Sequence, residues 1–132
     1  MALKLTLKAN EKLIVGRAVL RNGPKPAEIF IENNIPILRE RDILKEEDAT
    51  SLCRRIYFVV QLMYVDESNL PEYHKAYWDM IRELLPAVPS TKQYIEDISV
   101  RVAQADYYHA LKTARKLIDY EDELIRSASS AT

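Results

Sequence analysis

The chain has 132 residues, 48% hydrophobic and 30% charged, with a net charge of −1. That length suits one domain or two small lobes sharing a core. Its lone Cys53 excludes an intrachain disulfide framework and fits a reducing compartment, and its two glycines, Gly16 and Gly23, exclude a glycine-rich phosphate loop. The charge is unevenly spread: residues 1–45 hold nine Lys/Arg and five Asp/Glu, residues 46–132 ten and fifteen. A basic opening raises two readings, a polyanion partner or an ordinary mixed surface.

Leu3, Leu5 and Leu7 alternate with Lys4, Thr6 and Lys8, which predicts a strand with one buried and one wet face. Ala9-Asn10 reads as a turn. A second strand is expected from Glu11 to Arg21, with Gly16 as a bulge or bend inside it. The loop Asn22-Gly23-Pro24-Lys25-Pro26 leads to a third strand, Ala27–Glu32. Asn33-Asn34 suits a tight reversal into a fourth strand, Ile35–Arg39, which Pro36 confines to an edge or a strand start. Four short antiparallel strands would form one curled sheet. Its open edges call for cover by the helical half or by a second chain, so a homodimer is expected.

Beyond Leu44 the period becomes helical. From Leu52 to Val65 the apolar residues recur almost all round, as in a central buried helix. Fourteen residues span about 21 Å at 1.5 Å each, too short for a membrane crossing. Glu46-Glu47-Asp48 would place negative charge at its start. Pro71 marks the start of a second helix with Tyr73, Tyr77, Met80, Ile81 and Leu84 on one face. Ser90 or Thr91 would cap a third, with Ile95, Ile98 and Val102 inward, and Asp106 a fourth. In the last helix Tyr107, Leu111, Ala114, Leu117, Ile118, Leu124 and Ile125 are expected inward. The fold class is therefore α+β: a small N-terminal antiparallel sheet (residues 1–45), a four-helix half on a central helix (46–126), and a flexible tail (127–132).

No motif points to catalysis. His74 and His109 have no second ligand at helical spacing, so no metal is expected, and no cofactor. The opening residues carry Lys4 and Lys8 and no apolar run, so no signal peptide is expected and the cytoplasm is the default location. The sharper constellation lies in the strands. Lys4, Thr6 and Lys8 share the wet face of the first, and Arg39 and Arg41 flank Glu40 after the fourth. If these elements lie side by side, cations converge on one edge, where they could hold phosphates and read unpaired bases. Lys112, Arg115 and Lys116 share a face of the last helix, either a second anion patch or a solvated face with Arg115 paired to Asp119.

Several blocks carry a resemblance. Met1-Ala2-Leu3-Lys4-Leu5-Thr6-Leu7-Lys8, Leu38-Arg39-Glu40-Arg41-Asp42-Ile43-Leu44, Arg55-Ile56-Tyr57-Phe58 with Gln61-Leu62-Met63-Tyr64, and Asp106-Tyr107-Tyr108 with Ala114-Arg115-Lys116-Leu117-Ile118 resemble the FlbT family of flagellin-synthesis regulators. The match runs from Met1 to about Leu124. It implies a non-enzymatic, cytoplasmic post-transcriptional regulator that acts on the 5′ untranslated leader of flagellin messenger RNA and lowers its stability and translation. Leu5 to Gly16 and Leu38 to Ile43 are also similar to two segments of the carbon storage regulator family, CsrA, where they form an RNA site across an intertwined dimer. By that resemblance Thr6 and Lys8 match one segment and Arg39 the key arginine of the other, while Leu7 stands where that family usually has a basic residue. Lys4, Thr6, Lys8, Arg39 and Arg41 are the expected RNA contacts. The rival expectation is a protein-binding adaptor or chaperone-like module for flagellin or a flagellar co-regulator, supported by the tyrosine-rich, acidic helical half.

Overall fold

Alternation in the opening residues does produce a strand. In the computed structural model, which describes residues 2–130, β1 (Leu3–Leu7) buries Leu5 and Leu7 and exposes Lys4 and Thr6. The next eleven residues depart from expectation. They form not one bent strand but a hairpin, β2 (Lys12–Val15) and β3 (Ala18–Arg21), with Val15 opposite Ala18. Gly16 is the cause. It lies at φ 59°, the left-handed region that a two-residue II′-type turn needs at its first position. A Cβ there would also come within 2.7 Å of Cδ1 of Ile35.

After the loop at residues 22–26 comes β4 (Ala27–Ile31), and β5 (Ile37–Arg39) begins directly after Pro36. The hairpin expected at Asn33-Asn34 does not form. β4 pairs antiparallel with β1, whereas β5 pairs antiparallel with β2. The result is two small sheets, ordered β1-β4 and β3-β2-β5, in place of a single four-stranded one. Leu5, Leu7 and Leu13 form their common core, with Val15, Ile29, Ile31 and Ile37 against it. Leu13 is wholly buried, which contributes about 2 kcal/mol. Apolar burial in this shared cluster joins the two sheets, while β3 lies exposed along its whole length. The class is α+β, with the strands first and the helices after them.

The chain divides into two units, Met1–Ile43 and Leu44–Thr132. The second consists mainly of helices: α1 (Leu52–Val65), α2 (Leu70–Ala87), α3 (Lys92–Ala103) and α4 (Tyr107–Ser130). Helix α1 buries Cys53, Ile56, Tyr57, Val59, Val60, Gln61 and Met63, as its near-continuous apolar character requires. Its N-cap is Ser51, whose hydroxyl accepts from the Arg54 N–H at 3.1 Å. The acidic run Glu46–Asp48 does not begin this helix but forms a separate 3-10 turn upstream. Arg54 ties α1 to α4 by donating to Glu121 at 2.9 Å and to Asp122 at 3.0 Å. Buried Gln61 both donates to the Leu44 carbonyl and accepts from the Leu44 N–H, at 3.0 and 2.8 Å.

Pro71 lies in the first turn of α2, and Tyr77, Ile81 and Leu84 are its buried face. Thr91 precedes α3, but its hydroxyl donates back to the Val88 carbonyl at 2.7 Å and does not cap the helix. Ile95, Ile98 and Val102 face inward as expected. On α4 the buried face ends at Ile118: Leu124 and Ile125, expected inside, are exposed. The helix continues through Ser130, so the tail expected from Ser127 begins as helix, and residues 131–132 lie outside the described residues. Among the described residues no helix is long and apolar enough to cross a membrane.

Candidate functional site

The pleat of β5 builds the site. Residues 37 and 39 share a face with Leu13 and Val15 of β2, their partners across the ladder. Leu13 and Ile37 fill the core on that face, so Arg39, one residue pair further along, reaches its rim. There Nη2 donates to the Thr6 carbonyl of β1 at 2.6 Å, and Nε and Nη2 donate to the Glu11 carboxylate at 3.1–3.2 Å. Arg39 thus ties β5 to β1 and to the turn after it. Backbone and side chain fix that turn. Asn10 takes φ 61°, a region Asn tolerates, and the Asn22 side chain donates to the carbonyls of Lys8 and Lys25 at 2.7 and 2.9 Å.

These contacts bring Lys8, Ala9, Glu11, Arg39, Glu40 and Arg41 around one open cleft of about 330 Å³. Three of the five expected residues, Lys8, Arg39 and Arg41, therefore meet. Thr6 contributes a carbonyl, which Arg39 occupies. Lys4 lies further along β1 on the outer face of the sheet, 3.2 Å from Glu28 of β4. Arg41 sits in the 3-10 turn Glu40–Asp42, with its side chain 80% exposed and 3.9 Å from Asp42. Glu40 accepts from the Lys12 N–H at 2.9 Å.

Sequence reasoning missed Glu11. Its carboxylate accepts from the Lys8 N–H at 2.8 Å and from Arg39. The Lys8 amide, then the Arg39 guanidinium, hold its carboxyl below the usual glutamate range against the opposing effect of burial. The available signal was its place three residues after Lys8, across a turn. Two cations of the cleft differ in kind as a result. Arg39 is a fixed strut, already engaged, whereas Arg41 extends into solvent.

The helical unit treats its basic residues differently. Arg115 does not serve a solvated pair with Asp119: its guanidinium lies 4.6 Å from the ring centroid of buried Tyr57 and donates to that hydroxyl at 3.3 Å. Lys112 lies 5.2 Å from the Tyr108 ring centroid, and Lys116 is exposed. Cys53 is buried, and desolvation, then Glu121, push its thiol up to about 12, far from a reactive thiolate. No group of three or more His, Cys, Asp or Glu side chains suited to a metal occurs among the described residues.

The fold and the cleft define a small α+β protein whose chemistry at this site is that of charge and hydrogen bonding at strand ends. The chain belongs to the FlbT family: it matches the family described as Flagellar protein FlbT over residues 3–125. It is 44% identical over 125 residues to the probable flagellum biosynthesis repressor protein FlbT 1 of Bradyrhizobium diazoefficiens, spanning 94% of this chain and 85% of that relative. It is 37% identical over 132 residues to the flagellum biosynthesis repressor protein FlbT of Caulobacter vibrioides, spanning 98% and 94%. No solved structure matches. The family is thus the one its sequence blocks resemble, and the relatives' names describe repressors, not enzymes.

Proposed function

We propose that this chain is a cytoplasmic, non-enzymatic repressor of flagellin synthesis that binds the 5′ untranslated leader of flagellin messenger RNA through the strand unit. The observation that carries this reading is the convergence of Lys8, Arg39 and Arg41 on one cleft. The relatives' names support the flagellar part, and the surplus of basic residues in 1–45 supports a polyanion. Lys8, Arg41 and Lys4 supply phosphate contacts. Arg39 holds the turn that positions them. Bound protein would lower translation by covering the leader or by opening it to nucleases.

Each phosphate contact on a single strand changes the slope of log K against log salt by ~0.7, so three contacts predict a slope of about −2. Anisotropy of labelled leader RNA titrated with full-length protein across a salt series measures it. K8A and R41A should each remove about 0.7 of that slope. No binding by the purified protein even at low salt would end this reading. A second reading would then lead, an adaptor for flagellin or a flagellar co-regulator, favoured by exposed Leu124 and Ile125 on α4, which are 39% and 57% accessible.

A further inference from the structure

The β1-β4 pair carries an aromatic residue where its pleat should place a polar one. Register sets Leu5 opposite Ile29 on the core face and Lys4 opposite Phe30 on the outer face. Phe30 is 58% exposed. It stands directly across from Lys4, so their Cβ atoms lie about 5 Å apart. Thr6 follows on the same face with Glu28 opposite it. The outer face thus presents a flat apolar ring beside Lys4, and Lys8 follows just beyond the strand's end, where it lines the cleft.

We propose that Phe30 is a stacking platform for an unpaired base of single-stranded RNA, with Lys4 and Lys8 holding the flanking phosphates. This inference rests on the RNA-binding reading above and names the residue that would distinguish single-stranded from duplex or featureless polyanion. Three features favour a base over an apolar partner. The ring is a single aromatic on a strand pair, flanked by charged and polar side chains (Lys4, Glu28, Thr6) and not by further apolar ones on that face. A phenylalanine has only two side-chain torsions to fix, so stacking costs little side-chain entropy. Lys4 is paired with Glu28 only across an exposed surface, at 3.2 Å with both side chains more than half accessible. Such pairs contribute little, so a phosphate can displace the carboxylate from the ammonium.

The test uses full-length protein, a labelled single-stranded leader segment, the same segment annealed to its complement, and inorganic polyphosphate. F30A should weaken single-strand binding about 10-fold, the usual effect of one lost base stack, with an unchanged salt slope because stacking releases no counterions. F30Y should retain binding and F30L should not. Binding of the duplex and of polyphosphate should not depend on residue 30, while K4A should weaken polyphosphate binding. Thermal unfolding of F30A should match the parent, since the ring is exposed. If the parent binds the single strand and F30A or F30L binds equally well, this inference falls while the RNA-binding reading stands. If the parent binds no RNA, both fall. If F30A instead changes the protein's sedimentation and leaves RNA affinity alone, Phe30 serves a protein contact and the inference is overturned.

Discussion

Arg39 and Glu11, 28 residues apart in sequence, face each other across the rim of the strand unit with Nη2 3.1 Å from Oε2. The same nitrogen donates to the Thr6 carbonyl, so one guanidinium joins β5, β1 and the intervening turn. Both side chains are largely shielded, 30% and 12% accessible, as are those of Arg54 and Glu121 in the helical unit, whereas Lys4–Glu28 and Arg82–Asp79 are exposed. A forked donor meeting a carboxylate on two nitrogens is a geometry lysine cannot copy.

Replacement of Arg39 by Lys therefore keeps the charge and loses the strut. R39K should destabilise the strand unit by ~1–2 kcal/mol, within the range for a hydrogen bond to a charged group. E11A and R39A should each do at least the same, and the double variant R39A/E11A should cost less than the sum of R39A and E11A alone. Amide exchange across residues 3–39 reads this. Additive losses would show that the pair contributes nothing jointly.

Acid should loosen the same unit. Glu11 has a folded-state pKa below its unfolded value of about 4.3. A depressed carboxyl contributes stability that is complete above the unfolded value and is lost as pH falls through the folded one. Amide protection in β1, β2 and β5 should thus fall as the medium is acidified below the unfolded value of Glu11, and E11Q should flatten that dependence. A parent and an E11Q variant with identical acid profiles would contradict it.

At Gly16, backbone conformation should matter more than space. The Cβ contact is with the end of a flexible Ile35 side chain, which can move. The φ of 59° cannot be relieved that way. G16A should cost ~1–2 kcal/mol, and adding I35A should not restore it. Urea unfolding followed by exchange-sensitive signals of β2 and β3 measures both variants. Full rescue by I35A would assign the cost to the clash.

In the helical unit, the buried hydroxyl of Tyr77 meets Ser99 Oγ at 2.7 Å. S99A should cost ~1–3 kcal/mol by leaving that hydroxyl without a partner in a buried place. The double variant Y77F/S99A should be more stable than S99A alone, because nothing polar is then stranded. Thermal unfolding of the three proteins decides. Equal melting temperatures for S99A and Y77F/S99A would mean that water takes the place of Ser99.

Local patterns were legible where one local force dominates. Leu3, Leu5 and Leu7 announce a half-buried strand by alternation, and Leu52–Val65 is helical over the expected span because its apolar residues cover nearly every face. Gly16 was visible as a break in a strand, but its sign of φ was not, and that sign separates a bulge from a hairpin. Asn33-Asn34 has sound turn chemistry, yet β5 pairs with β2, since register is set by where Leu13 and Ile37 can be buried and not by the turn alone. Leu124 and Ile125 keep the helical period of α4 beyond the last side chain that covers it, and period cannot tell where a neighbour ends. Glu11 looked like one acidic residue among many, because a partner 28 positions away leaves no local trace.

By itself, then, the sequence determined the element types, the order of strands before helices, the family and the identity of the cations on β1 and after β5. Those follow from short-range periodicity and from residue type. The tertiary structure alone decided that the strands form two sheets, that Lys8, Arg39 and Arg41 share a cleft, that Arg39 is tied down by Glu11, and that Phe30 stands beside Lys4. Each of these depends on which strand pairs with which, a choice made by burying apolar side chains far apart in the chain, and alternation along one strand carries no record of its neighbour.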